Sequence, residues 1–250
     1  MDRVVLCMKW GTLYGPDYVN VLYSAVRRNL TGDFRFVCLT DDPAGIRDEV
    51  ECHPIPDIGL KHENWYHGAW PKIAVFLPDL YGLTGRALFI DLDMIICGPL
   101  DEFFTYDQGL VTIDEGVWNG TPPSTMTSIF AFDLGQMGYL VDRIRADRDA
   151  ICAKYDIEQN YLHGEVERIG YWPHDWLVSF KRHLRQPLLI DRFKQPKWPE
   201  PGVKIIVFHG RPRPMDLIRP GGGNRDLFPH CVPGQVDWAR DYWLENGGRL

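Results

Sequence analysis

Apolar residues follow two rhythms along this chain, and the rhythm changes at glycines and prolines. "RVVLCMKW", from Arg3, is a continuous apolar run of strand length and predicts a buried strand. "DYVNVLYSAVRRNL" places Val19, Leu22, Tyr23, Val26 and Leu30 on one helical face, and Thr31-Gly32 ends the pattern. "FRFVCLTDD" predicts a second strand closing on a turn. "WPKIAVFLPDLY" predicts a helix with Pro71 near its first turn and Lys72, Val75 and Phe76 inside. "ALFIDLD", "GLVTID" and "TSIFAFDL" predict the third, fourth and fifth strands. Strands separated by helices imply an α/β fold with a mainly parallel central sheet flanked by helices.

The second half is less regular. "MGYLVDRIRADRDAICAKY" predicts a charged amphipathic helix, "DWLVSFKRHL" a short helix or strand, and "KIIVFHG" a last clear strand. The stretch from Pro212 to Pro233 is rich in proline and glycine. Its Gly221-Gly222-Gly223 run is read as a loop, with a lid over a ligand as the alternative. A closing helix, "VDWARDYWLEN", follows, and its Trp238, Tyr242 and Trp243 are expected to pack inward rather than meet a membrane or partner. With no internal repeat and no clean linker, residues 1–250 are read as a single domain.

Composition narrows the classes. The chain is 45% hydrophobic and 24% charged, as a globular protein is, and its net charge of -7 argues against a general nucleic-acid surface. A local basic cluster could still hold a small phosphorylated ligand. The six cysteines form no CxxC pair and most sit in apolar runs, so they are expected to be reduced core residues. No secretory pattern opens the chain, and no stretch approaches the roughly 20 apolar residues of a membrane span. The expected compartment is the cytosol, with association at the inner face of a membrane left open.

Asp91 and Asp93 interrupt the apolar run "RALFIDLDMIICGPL". They follow residues 87–90 at the carboxyl end of a strand, and strand periodicity puts both on one face, with Leu92 on the other. Two like charges in an apolar setting repel and are costly to bury. A hard divalent cation, Mn²⁺ or Mg²⁺, would relieve both costs, and ligands of open α/β sheets lie beyond the carboxyl ends of the strands. Solvated turn aspartates are the plain alternative, disfavoured because Met94-Ile95-Ile96 resumes the apolar pattern. Two enzyme classes place such a DxD at a strand end. They are metal-dependent nucleotide-sugar glycosyltransferases and haloacid-dehalogenase-like phosphatases, in which Asp91 would be the nucleophile. The phosphatase pattern wants Thr or Val where this chain has Ile95, and it normally opens the domain. A non-catalytic nucleotide- or carbohydrate-binding module is a third class.

With that context the sequence resembles the GT-A (Rossmann-like) glycosyltransferases, and within them the family 8-like group that includes glycogenin and bacterial sugar transferases. Four segments across residues 3–215 carry the likeness. "VVLCMKWGTLYGPDYVNVLYSAVRRN" matches the nucleotide loop, implying that Lys9, Trp10, Gly11, Thr12 and Tyr14 contact the nucleotide. "WPKIAVFLPDLYGL" supplies Lys72, matching a lysine that reaches toward the acid pair and donor sugar. "FIDLDMIICGPLDEFF" matches the DxD strand, implying that Asp91, Leu92 and Asp93 bind donor and metal. "IIVFHGRPRPM" matches the closing motif, implying contacts from His209, Gly210, Arg211 and Arg213, with His209 as third metal ligand although it falls two residues after the family's histidine.

The likeness divides the chain into a nucleotide-sugar-binding half (1–100), an acceptor half with the closing strand (101–215), and a C-terminal loop and helix (216–250). Ser128 falls where relatives have an Asn-Ser-Gly. Relatives also carry an Asp-Gln or similar acid near the reacting carbon. Glu165 is the candidate for that role, then His163, while Trp172, His174, Asp175, Trp176 and Lys181 are candidate pocket residues. The resemblance implies transfer of a hexose from a nucleoside diphosphate sugar, UDP favoured over GDP, to a hydroxyl of a saccharide, glycolipid or small molecule, with retention at the anomeric carbon. An inverting enzyme would need a base such as Asp133, Glu165 or Asp175.

Overall fold

A computed structural model describes residues 2–219, 226, 228–230 and 234–250. Cys231 and the Gly221–Gly223 run lie outside the described residues. The ten strands among those residues are β1 (Arg3–Lys9), β2 (Arg35–Thr40), β3 (Glu51–His53), β4 (Arg86–Ile90), β5 (Ile95–Ile96), β6 (Leu110–Asp114), β7 (Thr125–Asp133), β8 (Ile169–Tyr171), β9 (Leu177–Ser179) and β10 (Ile205–Val207). The helices are α1 (Pro16–Asn29), α2 (Glu115–Asn119), α3 (Tyr139–Tyr155), α4 (Glu158–Glu165), α5 (Pro214–Ile218) and α6 (Asp237–Glu245).

Seven strands form the central sheet in the order β3-β2-β1-β4-β7-β6-β8. β7 pairs antiparallel with both β4 and β6, and the other pairs are parallel. The expected mainly parallel α/β sheet is therefore present. A second sheet, β5-β10-β9, carries the strand predicted from "KIIVFHG" outside the central sheet.

Side-chain alternation on the central strands feeds two cores. Val5 and Cys7 of β1 and Leu88 and Ile90 of β4 face a cluster built with α1, the small sheet, α5 and α6. Val4, Leu6 and Met8, with Ala87 and Phe89, face a cluster built with residues 70–76, α3 and α4. Covering on both faces explains why these strands read as unbroken apolar runs rather than alternating ones. Five cysteines, Cys7, Cys38, Cys52, Cys97 and Cys152, are free. Trp243 is buried, and the indole N–H of Trp238 donates to the Pro196 carbonyl at 2.9 Å, so α6 packs inward as expected.

Three elements depart from expectation. Residues Trp70–Phe76 form a 3₁₀ stretch buried at every position, not an amphipathic helix. It opens from Ala69 in a left-handed conformation and runs toward Pro78, whose missing N–H blocks continuation. α3 breaks at Asp147, where the backbone turns extended. "DWLVSFKRHL" is both things at once, β9 followed by a π-helical turn at Phe180–Leu184.

The core on the α4 side is anchored by phenylalanines. Phe130 is fully buried and stacks on Phe89 with centroids 4.8 Å apart and planes 15° apart. Replacing Phe130 with Ala should cost about 3–5 kcal/mol in chemical denaturation, with the denaturant slope unchanged.

Candidate active site

Main-chain geometry sets the acid pair. β4 stops at Ile90, and Asp91 makes the last ladder contact, its N–H donating to the Ser128 carbonyl at 2.8 Å. The chain then turns, with the Met94 N–H reaching back to the Asp91 carbonyl at 3.3 Å. Asp91 and Asp93 thus lie in a turn at the carboxyl end of β4, and the expectation that they continue the strand on one face is corrected. Alternation ends where the ladder ends, so their side chains are held from different layers. Lys72, in the 3₁₀ stretch of one layer, donates to the Asp91 carboxylate at 2.7 Å. Tyr14, in the loop before α1 on the other, donates its hydroxyl to Asp93 at 2.7 Å. Leu92 is buried in the α1-side core.

A third carboxylate completes the group. Glu158 opens α4, is buried, accepts from the Thr127 hydroxyl, and lies 3.9 Å from the Lys72 ammonium. Its N–H is held by the Gly68 carbonyl at 3.0 Å. Gly68 has φ of +75°, and a Cβ there would stand 2.9 Å from the Asp156 carbonyl oxygen, so only glycine lets α4 approach this closely. Glu165, the acid expected from sequence, lies at the other end of α4. It bonds Arg143, Lys154 and Tyr155 instead. The overlooked signal was the acid–amide dipeptide Glu158-Gln159 just upstream.

Charge in this group is unbalanced. Burial lifts the Asp91 carboxyl above its ordinary range, opposed by Lys72. Asp93 is pushed up to about 6, by burial first and by the Asp91 charge second. Burial also raises Glu158, again opposed by Lys72. Burial alone would lower the Lys72 ammonium, but Asp91 and Glu158 outweigh it and leave its pKa above the ordinary value. Tyr14 is raised by burial and by Asp93, which keeps it a hydrogen-bond donor.

The remaining predicted residues fall into three groups. At the end of β1 and in the loop after it, Lys9 is buried and donates to the Asp42 carbonyl at 3.0 Å, Trp10 to the Trp65 carbonyl at 2.8 Å, and the Gly11 N–H to the Asp41 carboxylate at 2.8 Å. Thr12 is exposed. After β10, Gly210 and Arg211 are exposed, and the Arg213 guanidinium sits 5.6 Å from the Tyr14 ring centroid, beside the Asp93 partner. His209 stands apart from the acid pair's partners: its Nε2 is 2.7 Å from the Ser179 hydroxyl, its carbonyl accepts from Lys181, and its ring stacks near Trp118. Burial, then Lys181, Arg182 and Arg185, push its pKa down to about 4, so the ring is neutral at neutral pH.

Of the candidate pocket residues, Trp172 and His174 line a small recess with Asp114 and Trp118. Trp172 is otherwise a core residue, and Trp176 lies under the Lys204 ammonium at 3.7 Å. His163 bonds the Thr125 hydroxyl at 2.9 Å, Asp133 pairs with Arg86, and Asp175 is exposed.

The paired carboxylates suit a hard cation. They offer oxygen donors, and Asp93 is strained electrostatically by its neighbour in the way a cation relieves. Among the described residues no three His, Cys, Asp or Glu side chains are close enough to hold one metal ion together, so the structure does not gather His209 with Asp91 and Asp93.

No protein-family model matches the sequence, and no curated protein does. Solved structures do resemble it. The galactosyltransferase LgtC, in complex with donor and acceptor sugar analogs, superposes with a TM-score of 0.64 at 13% identity over 99% of this chain and 97% of that one. The glycosyltransferase GlyE of Streptococcus pneumoniae TIGR4 gives 0.62 at 13% identity, over 97% of this chain and 61% of its own. The bifunctional glycosyltransferase WbbM gives 0.59 at 12%, over 98% of this chain and 49% of its own. The chain therefore has the fold of these GT-A glycosyltransferases, as the sequence resemblance implied.

The Asp93 shift carries a sign. An acid raised in the folded state contributes stability that is complete below its unfolded pKa and is lost as pH rises toward about 6. Asp93→Asn should therefore gain on the wild type between pH 4 and 7, by up to about 2 kcal/mol, in metal-free thermal unfolding. An unchanged difference across that range would show that Asp93 is not held neutral.

Proposed function

We propose that this protein is a glycosyltransferase moving a sugar, a hexose by resemblance, from a nucleoside diphosphate donor, UDP favoured, to an acceptor hydroxyl. The observation that carries this is the group of half-buried Asp91 with buried Asp93, Lys72 and Glu158 at the carboxyl end of β4, in a fold shared with LgtC over nearly the whole chain. LgtC was solved with donor and acceptor sugar analogs, which supports reading the same cleft as a sugar-transfer site.

Asp91 and Asp93 would hold Mn²⁺ or Mg²⁺, which when bound supplies Lewis-acid charge to the leaving diphosphate. Lys72 orients Asp91 and places a fixed positive charge beside it. Arg211 and Arg213 are planar, permanently charged donors suited to phosphate oxygens. Tyr14 stays protonated and holds Asp93. Glu158 takes the role expected of Glu165: its buried carboxylate, steadied by Thr127, faces the group where positive charge develops on the sugar. His209 remains a candidate third ligand through a neutral imidazole, reached by leaving Ser179. Retention is proposed, since the departing phosphate can take the acceptor's proton and no further base is required. Residues 1–100 would form the donor half and 101–215 the acceptor half of one unit. Cytosolic placement accompanies this reading. The phosphatase alternative has no matching observation beyond the acid pair itself.

Calorimetric titration with UDP, GDP and their sugars, with and without Mn²⁺, is the test. One nucleotide should bind only with Mn²⁺, and Asp93→Ala should abolish that binding. No binding under any metal condition would sink the proposal. Glu158→Gln should keep nucleotide affinity within a few-fold while cutting transfer or donor hydrolysis by about 10²–10³, whereas Glu165→Gln should change turnover little.

A further inference from the structure

We propose that the segment 187–198 is a docking surface for an anionic lipid bilayer. The segment reads "PLLIDRFKQPKW", and it folds with its polarity inverted. Helical turns run from Pro187 to Lys194, with the Ile190 N–H on the Pro187 carbonyl at 2.8 Å and the Lys194 N–H on the Ile190 carbonyl at 3.0 Å. Asp191, the acid of the turn, points inward and pairs with His230. The apolar residues point outward: Phe193 is 87% exposed and Leu189 76%, with Leu188, Ile190 and Trp198 also exposed. A turn that buries its carboxylate and presents its leucines and phenylalanine to water gains nothing in the free protein. Clustered exposed apolar groups of this kind mark a contact surface.

The segment is built rather than loose. The Gln195 amide donates to the Asp237 carboxylate and accepts from the Asp237 main-chain N–H, both at 2.9 Å, the Lys197 N–H donates to the Leu184 carbonyl at 2.8 Å, and the Pro196 carbonyl accepts from Trp238. The aromatic helix α6 therefore serves as its footing.

Charge selects the occupant. Arg192, Lys194 and Lys197 are exposed, and their side chains make no hydrogen bond or ion pair among the described residues. Three unpaired cations beside exposed leucine and phenylalanine, on a chain of net charge -7, suit a surface that is both anionic and apolar beneath. Lipid headgroups over acyl chains have that order. A second copy meeting this patch through a twofold contact would bring the same cations together. No described helix is long and apolar enough to cross a membrane, so the contact would lie on the bilayer surface.

Flotation with vesicles of phosphatidylcholine alone, or mixed with phosphatidylglycerol, tests this. The intact protein should bind the mixed vesicles about tenfold or more better than the neutral ones, and added salt should weaken that binding. Leu189→Asp combined with Phe193→Asp should lose the binding while thermal unfolding and nucleotide titration stay at the wild-type level. Arg192→Gln, Lys194→Gln and Lys197→Gln together should lose the preference for phosphatidylglycerol. Failure of the wild type to bind mixed vesicles overturns the proposal, as does binding that survives both variants. Self-association in sedimentation that the Leu189/Phe193 variant abolishes, without vesicle binding, would assign the patch to a second copy instead. Nucleotide binding is read separately, so neither result decides the transferase question.

Discussion

The contact between Lys72 and Asp91 is the constraint on which the rest of the site depends. A lysine buried in a 3₁₀ stretch is tolerable only with a carboxylate at hydrogen-bond distance, and Asp91 provides one at 2.7 Å. That fixes the stretch against the end of β4. Once Lys72 is fixed, its remaining donor capacity goes to the Thr127 carbonyl at 3.3 Å and its charge to Glu158. Thr127 lies on β7, the antiparallel strand beside β4, and its hydroxyl in turn bonds Glu158. One ammonium thus ties together a strand end, its neighbour and the start of α4. Removing it would leave the half-buried Asp91 and the buried Glu158 without their cation.

Much of this frame was legible in the sequence. β1, α1, β2, β4, β6, β7 and α6 fall where their apolar patterns put them, because buried runs and amphipathic stripes report local geometry directly. Asp91 and Asp93 stood out as charges that interrupt an apolar run, whereas Lys72 was offered by the family resemblance alone. The illegible parts share a cause. Period-two spacing cannot distinguish a strand from the turn that ends it, so Asp91 and Asp93 were placed on one face when different layers hold them. The Glu158 position depends on Gly68, far upstream in the chain, accepting the first N–H of α4. No local pattern announces that pairing, and the resemblance pointed to Glu165 instead. The 3₁₀ form of residues 70–76 likewise follows from flanking geometry and complete burial rather than from propensity.

The small sheet explains how the chain's end returns to its middle. β10 pairs antiparallel with β5, immediately after the acid turn, and parallel with β9. Residues after β10 are thereby carried back toward the loop before α1, where Arg213 comes to lie over Tyr14. Five residues of separation between Ile90 and Ile95 are enough to pass from the central sheet to the small one. The acid turn is therefore also the crossover between sheets, and Met94, Ile95 and Ile96 resume the apolar pattern because they begin a second element, not because the first continues.

Two opposite electrostatic environments result. Around Asp93, burial and a neighbouring carboxylate push a pKa up to about 6. Around His209, burial and the cations Lys181, Arg182 and Arg185 push one down to about 4. Each titratable group is disfavoured in its charged form by neighbours of like sign, a pattern that accompanies sites built for charged ligands. A single simple anion would satisfy only the basic environment, and a lone cation only the acidic one. A diphosphate with a divalent counter-ion, the donor class proposed above, carries charge of both signs and so is complementary in sign to each environment.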